Sequence, residues 1–282
     1  MRLKNKIALI TGASGGLGAA ICQEFSSEGA DCIVVYNSDK QEAERTANQV
    51  RKNGRQAEVI RADISKEAEI ELMYKTVIDT FGHLDIVVAN AGRGGASKPI
   101  LKTTVSDFKK VIDTNLVGTY LTVRERAKLM APQKSGKIVT MSSVHGLGGT
   151  HHCSLYEATK AGIINLTRGA AFDLSEFNIQ INCIAPGAVP VPKDPPPEPD
   201  SVLYKAWMQF TPLGRFGEPK DVARTAVFLA SKDTDWITGQ VISVDGGITA
   251  GHLIPSFIHY GPKPKMDKID QYCRDLCRVM SN

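Results

Sequence analysis

The sequence predicts a doubly wound α/β fold, a single domain on a seven-stranded parallel sheet, and three observations carry that prediction. Short, almost continuously apolar runs alternate with helix-like stretches along the chain. A glycine-rich turn, Thr11-Gly12-Ala13-Ser14-Gly15-Gly16-Leu17-Gly18, follows the first run directly. Asp63, Asn90-Ala91-Gly92 and Pro186-Gly187 mark the carboxyl ends of later runs, where ligands of open α/β sheets bind.

The strand-like runs lie at 6–10, 32–36, 56–61, 86–89, 137–141, 180–184 and 240–244. Each is short and apolar on both faces of the pleat, as expected of parallel strands covered by helices on both sides. Helix-like segments lie between them at 18–28, 40–53, 66–81, 105–130, 154–177 and 219–230. Asn53-Gly54 ends the second with a residue able to take positive φ, and Ser65 followed by Glu67 reads as an N-cap with a negative first turn for the third. Residues 188–200 break the alternation. Pro190, Pro192, Pro195, Pro196, Pro197 and Pro199 remove backbone donors and fix φ, so a stiff, extended loop is expected there. The main domain is expected to span 1–251. Beyond it, Ile269, Tyr272, Cys273, Leu276, Val279 and Met280 recur at near-helical spacing, which predicts a C-terminal extension over 252–282 that docks on the core or on a neighbouring subunit.

The 282 residues suffice for one domain with a substantial core and that appendage. Hydrophobic residues make up 42% and charged residues 23%, which excludes a disordered chain and a membrane span. The net charge of +4 is spread without a basic block, so no nucleic acid and no membrane is expected as a partner, whereas an anionic cofactor fits. The first strand-like run begins at Lys6, leaving no room for a secretory signal, and a cytoplasmic location is expected. The six cysteines lack the paired spacing of a zinc site or a disulfide framework and are expected as free, mostly buried thiols.

In Gly12-x-x-x-Gly16-x-Gly18 the small residues let the backbone and a helix N-terminus approach a pyrophosphate, although the spacing differs from the usual Gly-x-Gly-x-x-Gly. Tyr156 and Lys160 stand at i, i+4, on one face if helical. An ammonium then sits beside a phenol and favours its ionised form, as proton transfer requires.

In chain order, the glycine turn, Asp63, Asn90-Ala91-Gly92, Asp113-Thr114-Asn115, Ser143, Tyr156-Glu157-Ala158-Thr159-Lys160 and Pro186-Gly187 resemble the motif set of the short-chain dehydrogenase/reductase family, from Leu3 to about Thr249. The resemblance implies a Rossmann-type sheet and a nicotinamide-dependent enzyme that moves a hydride between its cofactor and a small-molecule carbonyl or secondary alcohol. It implies that Ser143 hydrogen-bonds the substrate oxygen and that Tyr156 exchanges a proton with it. Lys160 would lower the Tyr156 pKa and hold the nicotinamide ribose, while Asn115 positions a water feeding a relay to Lys160. Cofactor contacts are implied at Gly12, Ser14, Gly16, Leu17 and Gly18, at Tyr36, Asn37 and Ser38 after the second strand, and at Asp63, beside adenine, with Ile64. Further contacts are implied at Asn90, Ala91 and Gly92, at Tyr156 and Lys160, and at Pro186, Gly187 and Val189. The family is usually tetrameric and sometimes dimeric through the long helices carrying Asn115 and Tyr156, so a homotetramer or homodimer is expected.

No acidic residue immediately follows the second strand, where one would bind ribose hydroxyls and repel a 2′-phosphate. Tyr36, Asn37 and Ser38 can donate to such a phosphate instead. NADP(H) is therefore expected over NAD(H), even though the arginine common in similar turns is missing and Gly15 holds a position often basic. Two further departures from the family pattern are Ala89, in place of an asparagine, and Val191, in place of a threonine after Pro186-Gly187. The second predicts a proline-rich loop that approaches the cofactor differently. Residues 188–210 are expected to form a substrate lid lined by Trp207, Met208 and Phe210. His145, Leu147, His151, His152 and Cys153 should rim the pocket, with His145 as a polar substrate contact; the adjacent His151 and His152 cannot easily share one site, and no metal is expected. His83, His252 and His259 are expected as structural or surface groups. Residues 111–116 and 141–145 are similar to glucose dehydrogenases and 3-oxoacyl carrier-protein reductases alike, so these stand beside the reading preferred here, a carbonyl reductase or alcohol dehydrogenase for a hydrophobic ketone or aldehyde. A nicotinamide-cofactor sensor acting through the C-terminal extension is the non-enzymatic alternative, and the intact Ser143, Tyr156 and Lys160 oppose it.

Overall fold

Parallel strands β1 (Ile7–Thr11), β2 (Asp31–Tyr36), β3 (Ala57–Arg61), β4 (Ile86–Ala89), β5 (Gly136–Met141), β6 (Ile179–Pro186) and β7 (Val241–Val244) form one sheet in the order β3-β2-β1-β4-β5-β6-β7. The computed structural model describes residues 1–95 and 97–251; the expected extension over 252–282, with His252 and His259, lies outside the described residues. Helices α1 (Gly16–Ser27), α2 (Lys40–Lys52), α3 (Glu67–Phe81), α4 (Val105–Ile112), α5 (Gly118–Gln133), α6 (Ser154–Ser175), α7 (Val202–Phe210) and α8 (Pro219–Ala230) connect and cover the strands. Among the described residues no helix is long and apolar enough to cross a membrane.

Pleating divides each central strand between two cores. Ala8 and Ile10 of β1 join Cys32 and Val34 of β2 beneath α1, α2 and α8, while Leu9, Ile33 and Val35 point the opposite way, toward α3 and α5. Val123, Ala171 and Leu174 carry that second layer over β5 and β6 through α5 and α6. Both faces are thus buried, which explains why the strands read as nearly unbroken apolar runs. Strand order reverses between β1 and β4, and a crevice opens at their carboxyl ends.

Local chemistry sets several boundaries differently from the sequence expectation. The segment expected as one helix over 105–130 comprises α4 and α5 joined by a π-helical turn, Asp113–Val117, that carries the buried Asn115. Its start is a capping box, with Asp107 N donating to Thr104 Oγ1 at 3.1 Å and Thr104 N to Asp107 Oδ2 at 3.1 Å. Ser65 does not cap α3: its hydroxyl donates to Asp63 Oδ1 at 2.7 Å, and Lys66 occupies the cap position without a side-chain bond. Residues 188–200 form the expected irregular loop, with one antiparallel bridge between Val191 and Asp194, but the lid segment then turns helical as α7, capped by Ser201, whose Oγ accepts from Tyr204 N at 3.1 Å.

The helix-to-strand approach at the crevice is tight enough to test. A Cβ on Gly18 would stand 2.4 Å from the Gly12 carbonyl oxygen and 2.8 Å from Asn90 Nδ2, whereas one on Gly15 meets nothing within 4 Å. Gly18→Ala is expected to destabilise the fold by about 2–3 kcal/mol, and Gly15→Ala to stay within about 0.5 kcal/mol, as read by chemical denaturation. Equal losses would contradict the packing described.

Candidate active site

A cleft of 1410 Å³ runs along the carboxyl edge of the sheet, from the end of β2 to the start of α6. Its floor is the seam between β1 and β4. Thr11 Oγ1 accepts from Asn90 N and Ala91 N, both at 3.0 Å, while Asn90 Nδ2 donates to the Thr11 carbonyl at 2.9 Å. Gly12, at φ +66°, lies so close that a Cβ there would stand 2.8 Å from Ala91 Cα. Gly12, Ser14, Gly16 and Leu17 line the cleft with Asn90, Ala91 and Gly92; Gly18 does not, and instead seats α1 against the turn. The unpaired N–H groups of the first turn of α1 have no acidic residue beside them, so this end of the cleft favours an anion. With small residues at the turn and the free N–H groups of α1 open to the cleft, the cradle fits a dinucleotide pyrophosphate.

Tyr36, Asn37 and Ser38 form one end of the cleft, facing Asp63 and Ile64. Burial opposes the Asp63 charge, but hydrogen bonds from the Ser65 N–H and hydroxyl outweigh it and hold the carboxyl below the usual range. Behind this end, outside the cleft lining, stands Arg61. Arg61 pairs in register with Tyr36 across the β2–β3 ladder, and its guanidinium reaches the Asn37 carbonyl at 3.4 Å and Asn37 Oδ1 at 3.5 Å while pairing with Glu69 at 3.0 Å. The nearby Asp39 carboxylate is engaged by Glu42 N at 3.2 Å and by the Lys193 ammonium at 3.1 Å.

At the other end, Ser143 leaves β5 and Tyr156 and Lys160 project from the first turns of α6; all three line the cleft, with Pro186 at the end of β6 and Gly187 and Val189 beyond it. Ser143 Oγ lies 3.5 Å from the Pro186 carbonyl and accepts from His145 N at 3.2 Å. Burial pushes the Tyr156 phenol above the ordinary tyrosine range, with the Ser143 hydroxyl pulling the other way. Burial also lowers Lys160 to about 8. Its ammonium lies over the phenol ring, 5.5 Å from the centroid, and donates to the Met141 carbonyl at 2.9 Å rather than facing the hydroxyl.

Asn115 is fully buried and does not line the cleft. Its Oδ1 accepts from Arg93 N at 2.8 Å, and its Nδ2 donates to the Arg93 carbonyl at 3.0 Å and to Thr159 Oγ1 at 3.2 Å. It thereby ties the irregular segment following Gly92 to α6 one turn from Tyr156. A Cβ on Gly92 would stand 3.4 Å from Asn115 Oδ1 and 3.6 Å from Lys160 Nζ, so both border the same small space.

The proline-rich loop crosses the cleft. Val191 stands 3.4 Å from where a Cβ on Gly16 would be, and Lys193 reaches Asp39 on the far wall. From α7, Trp207 and Leu203 line the cleft, joined by Phe216, whose ring lies 6.4 Å from that of Trp207. Met208 and Phe210 do not line it, which corrects that expectation: a helix turns only one face toward the cleft. His145 and His152 line the rim; His151 does not, and His83 pairs with Asp85 at 3.4 Å away from the site. Cys22, Cys32 and Cys183 are buried and Cys153 half-buried, all free.

The Lys160 environment makes a signed prediction. Between about 8 and the ordinary lysine value of 10.5 the unfolded chain binds the extra proton, so stability gained from this site rises with pH across that window. Below it, holding the buried ammonium costs about 3 kcal/mol. Lys160→Met is expected to be more stable than the parent at pH 7, with the advantage shrinking toward pH 10; a pH-independent difference in denaturation midpoints would contradict the assignment.

The family described as Enoyl-(Acyl carrier protein) reductase matches residues 12–249. The chain is 35% identical to 3beta-hydroxysteroid dehydrogenase 1 of Eggerthella lenta, over 90% of this chain and 97% of that protein. It is 36% identical to the 3-oxoacyl-(acyl-carrier-protein) reductase FabG of Staphylococcus aureus, over 86% of this chain and 98% of that protein. The crystal structure of levodione reductase superposes with a TM-score of 0.84 at 32% identity, covering 89% of this chain and all of that one. Motifs, fold and relatives agree: the chain belongs to the short-chain dehydrogenase/reductase family and is an oxidoreductase of alcohol and carbonyl groups that uses a nicotinamide cofactor.

Proposed function

We propose that the protein is an NADP(H)-preferring carbonyl reductase or alcohol dehydrogenase, and the observation that carries this reading is the meeting of Ser143, Tyr156 and Lys160 on the wall of one cleft that begins at the glycine turn. The nicotinamide cofactor, when bound, supplies or accepts the hydride. The turn from Gly12 to Leu17 and the N-terminus of α1 hold its pyrophosphate, and Asp63 with Ile64 faces its adenine. Ser143 donates a hydrogen bond to the substrate carbonyl oxygen, where negative charge develops. Tyr156, kept protonated by burial, donates its phenolic proton to that oxygen, which suits carbonyl reduction. Lys160 binds the nicotinamide ribose hydroxyls and stabilises the phenolate left behind; with a pKa near 8 it can return a proton within the working range. Asn115 positions the water that feeds this relay beside Gly92.

Tyr36, Asn37 and Ser38 offer donors at this end of the cleft, and Arg61, which pairs with Glu69 behind Asn37 and does not line the cleft, is the cation near enough to turn toward a 2′-phosphate. The substrate is a small molecule, a hydrophobic ketone or its alcohol, held under a lid formed by residues 188–210 and touching Leu203, Trp207 and Phe216. Relatives named for a steroid hydroxyl and for levodione support that class. The protein works in the cytoplasm as a homotetramer or homodimer. The groove between α5 and α6, lined by Val123, Ala127, Leu166, Ala170 and Phe177, supports assembly through those helices.

Following nicotinamide absorbance with aryl and alicyclic ketones, β-keto esters, acyl thioesters and sugars tests the reading. Tyr156→Phe is expected to lose at least about 100-fold in kcat while still binding cofactor; unchanged turnover would overturn the acid assignment. Arg61→Ala is expected to raise the KM for NADPH about tenfold and to leave that for NADH within about twofold. Equal effects on both cofactors would remove Arg61 from the 2′-phosphate site.

A further inference from the structure

The mouth of the substrate end holds a side-chain cluster that hydride transfer does not use. His145 comes from the short 3-10 turn Val144–Gly146 that follows Ser143. Cys153 is the N-cap of α6, and Glu157 sits in its first turn, so the latter two share one helix face at i, i+4. One imidazole nitrogen, the thiol sulfur and one carboxylate oxygen all lie within 4.8 Å of one another. We propose that His145, Cys153 and Glu157 form a zinc site on the cleft wall and that Zn²⁺ bound there blocks the substrate end of the cleft.

The donor set selects the ion. A nitrogen, a thiolate and a carboxylate suit Zn²⁺, whereas Mg²⁺ and Ca²⁺ take oxygen ligands. Tetrahedral zinc with bonds of about 2.0–2.3 Å places its ligands about 3.5 Å apart. His145 Nδ1 and Glu157 Oε1 already stand 3.4 Å apart. Contraction is thus needed chiefly at the sulfur. The carboxylate is held in place from behind, because Glu157 Oε1, the oxygen that faces His145, also accepts from Thr150 N at 2.6 Å and Thr150 Oγ1 at 3.0 Å.

A purely structural role accounts for Glu157, which anchors the loop before α6, and His145 Nδ1 stands 3.4 Å from both Glu157 Oε1 and Thr150 Oγ1, but no such role accounts for Cys153. The Cys153 thiol has no hydrogen-bond partner among the described residues, and unlike Cys22, Cys32 and Cys183 it is not buried in a core. His145 and Cys153 both line the cleft while Glu157 stands behind them, so three protein ligands leave the fourth coordination position toward the cleft. On binding, a Zn–S bond forms, the thiol S–H bond breaks and its proton passes to solvent. The ion then lies beside Tyr156, whose ring meets that of His145 edge-on at 5.9 Å between centroids. A substrate carbonyl approaching Tyr156 meets the ion or the water on its open position. The adenosine end of the cleft is untouched.

Cobalt titration of the full chain tests the site without reference to turnover. Co²⁺ is expected to bind one equivalent per chain with a near-ultraviolet thiolate-to-cobalt absorption band, and Zn²⁺ to displace it. Cys153→Ser, which places a favourable N-cap residue at the same position and so should fold, is expected to abolish the band and to weaken Zn²⁺ binding at least about tenfold in competition with a chromophoric chelator. Glu157→Gln is expected to weaken binding and keep the band. The double variant Cys273→Ser/Cys277→Ser controls for the other cysteines of the chain and is expected to keep both the band and the affinity. Absence of the band in the parent, its survival in Cys153→Ser, or its loss in the double variant would overturn the proposal.

Discussion

The seam between β1 and β4 is the constraint on which the rest of the structure depends. Thr11 and Asn90 lock the ends of these strands with side-chain bonds of about 3 Å, and the backbone passes so closely that Gly12 and Gly18 leave no room for a Cβ. Because strand order reverses there, the chain leaving β1 turns into α1 on one face while the chain leaving β4 runs toward the opposite layer. The cleft is the space between these departures. Its electrostatics follow from the same event, since α1 starts at the turn and directs its free N–H groups into the opening.

Burial governs the opposite end. Both Tyr156 and Lys160 are driven toward their neutral forms, the phenol by retaining its proton and the ammonium by losing it more readily. Neither group is poised by the other alone. Their charge states are set by a dry wall made of β5, β6 and α6, with the Met141 carbonyl and the Ser143 hydroxyl as polar partners. A buried lysine of this kind is a stability cost, and a strongly perturbed titratable group on a cleft wall is a feature that functional sites share. Asn115 belongs to the same arrangement. It does not face the cleft but fixes the backbone after Gly92 against α6 through three hydrogen bonds of its amide.

Much of this was readable in the sequence because the signals were local. Apolar runs of strand length, glycines at fixed offsets and the Tyr156–Lys160 spacing each depend on neighbours within a few residues. What escaped depends on distance in space. Arg61 reaches Asn37 only through the β2–β3 register, and His145 meets Cys153 and Glu157 only after the loop between them folds back. The π-helical turn at Asn115 left no trace because one wide turn barely disturbs helical periodicity over 105–130. Ser65 offered a capping signal that Asp63 captured first. The prolines up to Pro199 concealed α7, and once that segment is helical only Leu203 and Trp207, at i, i+4, face the cleft, which turns Met208 and Phe210 elsewhere.

A crystal structure of the full chain with NADP(H) tests the central claim most directly. The account predicts the diphosphate against the N–H groups between Gly12 and Leu17, the adenosine ribose beside Asn37 and Arg61, and the nicotinamide ring facing Ser143 and Tyr156 with its ribose on Lys160. A cofactor bound away from the β1–β4 seam, or with its nicotinamide turned from Tyr156, would contradict it.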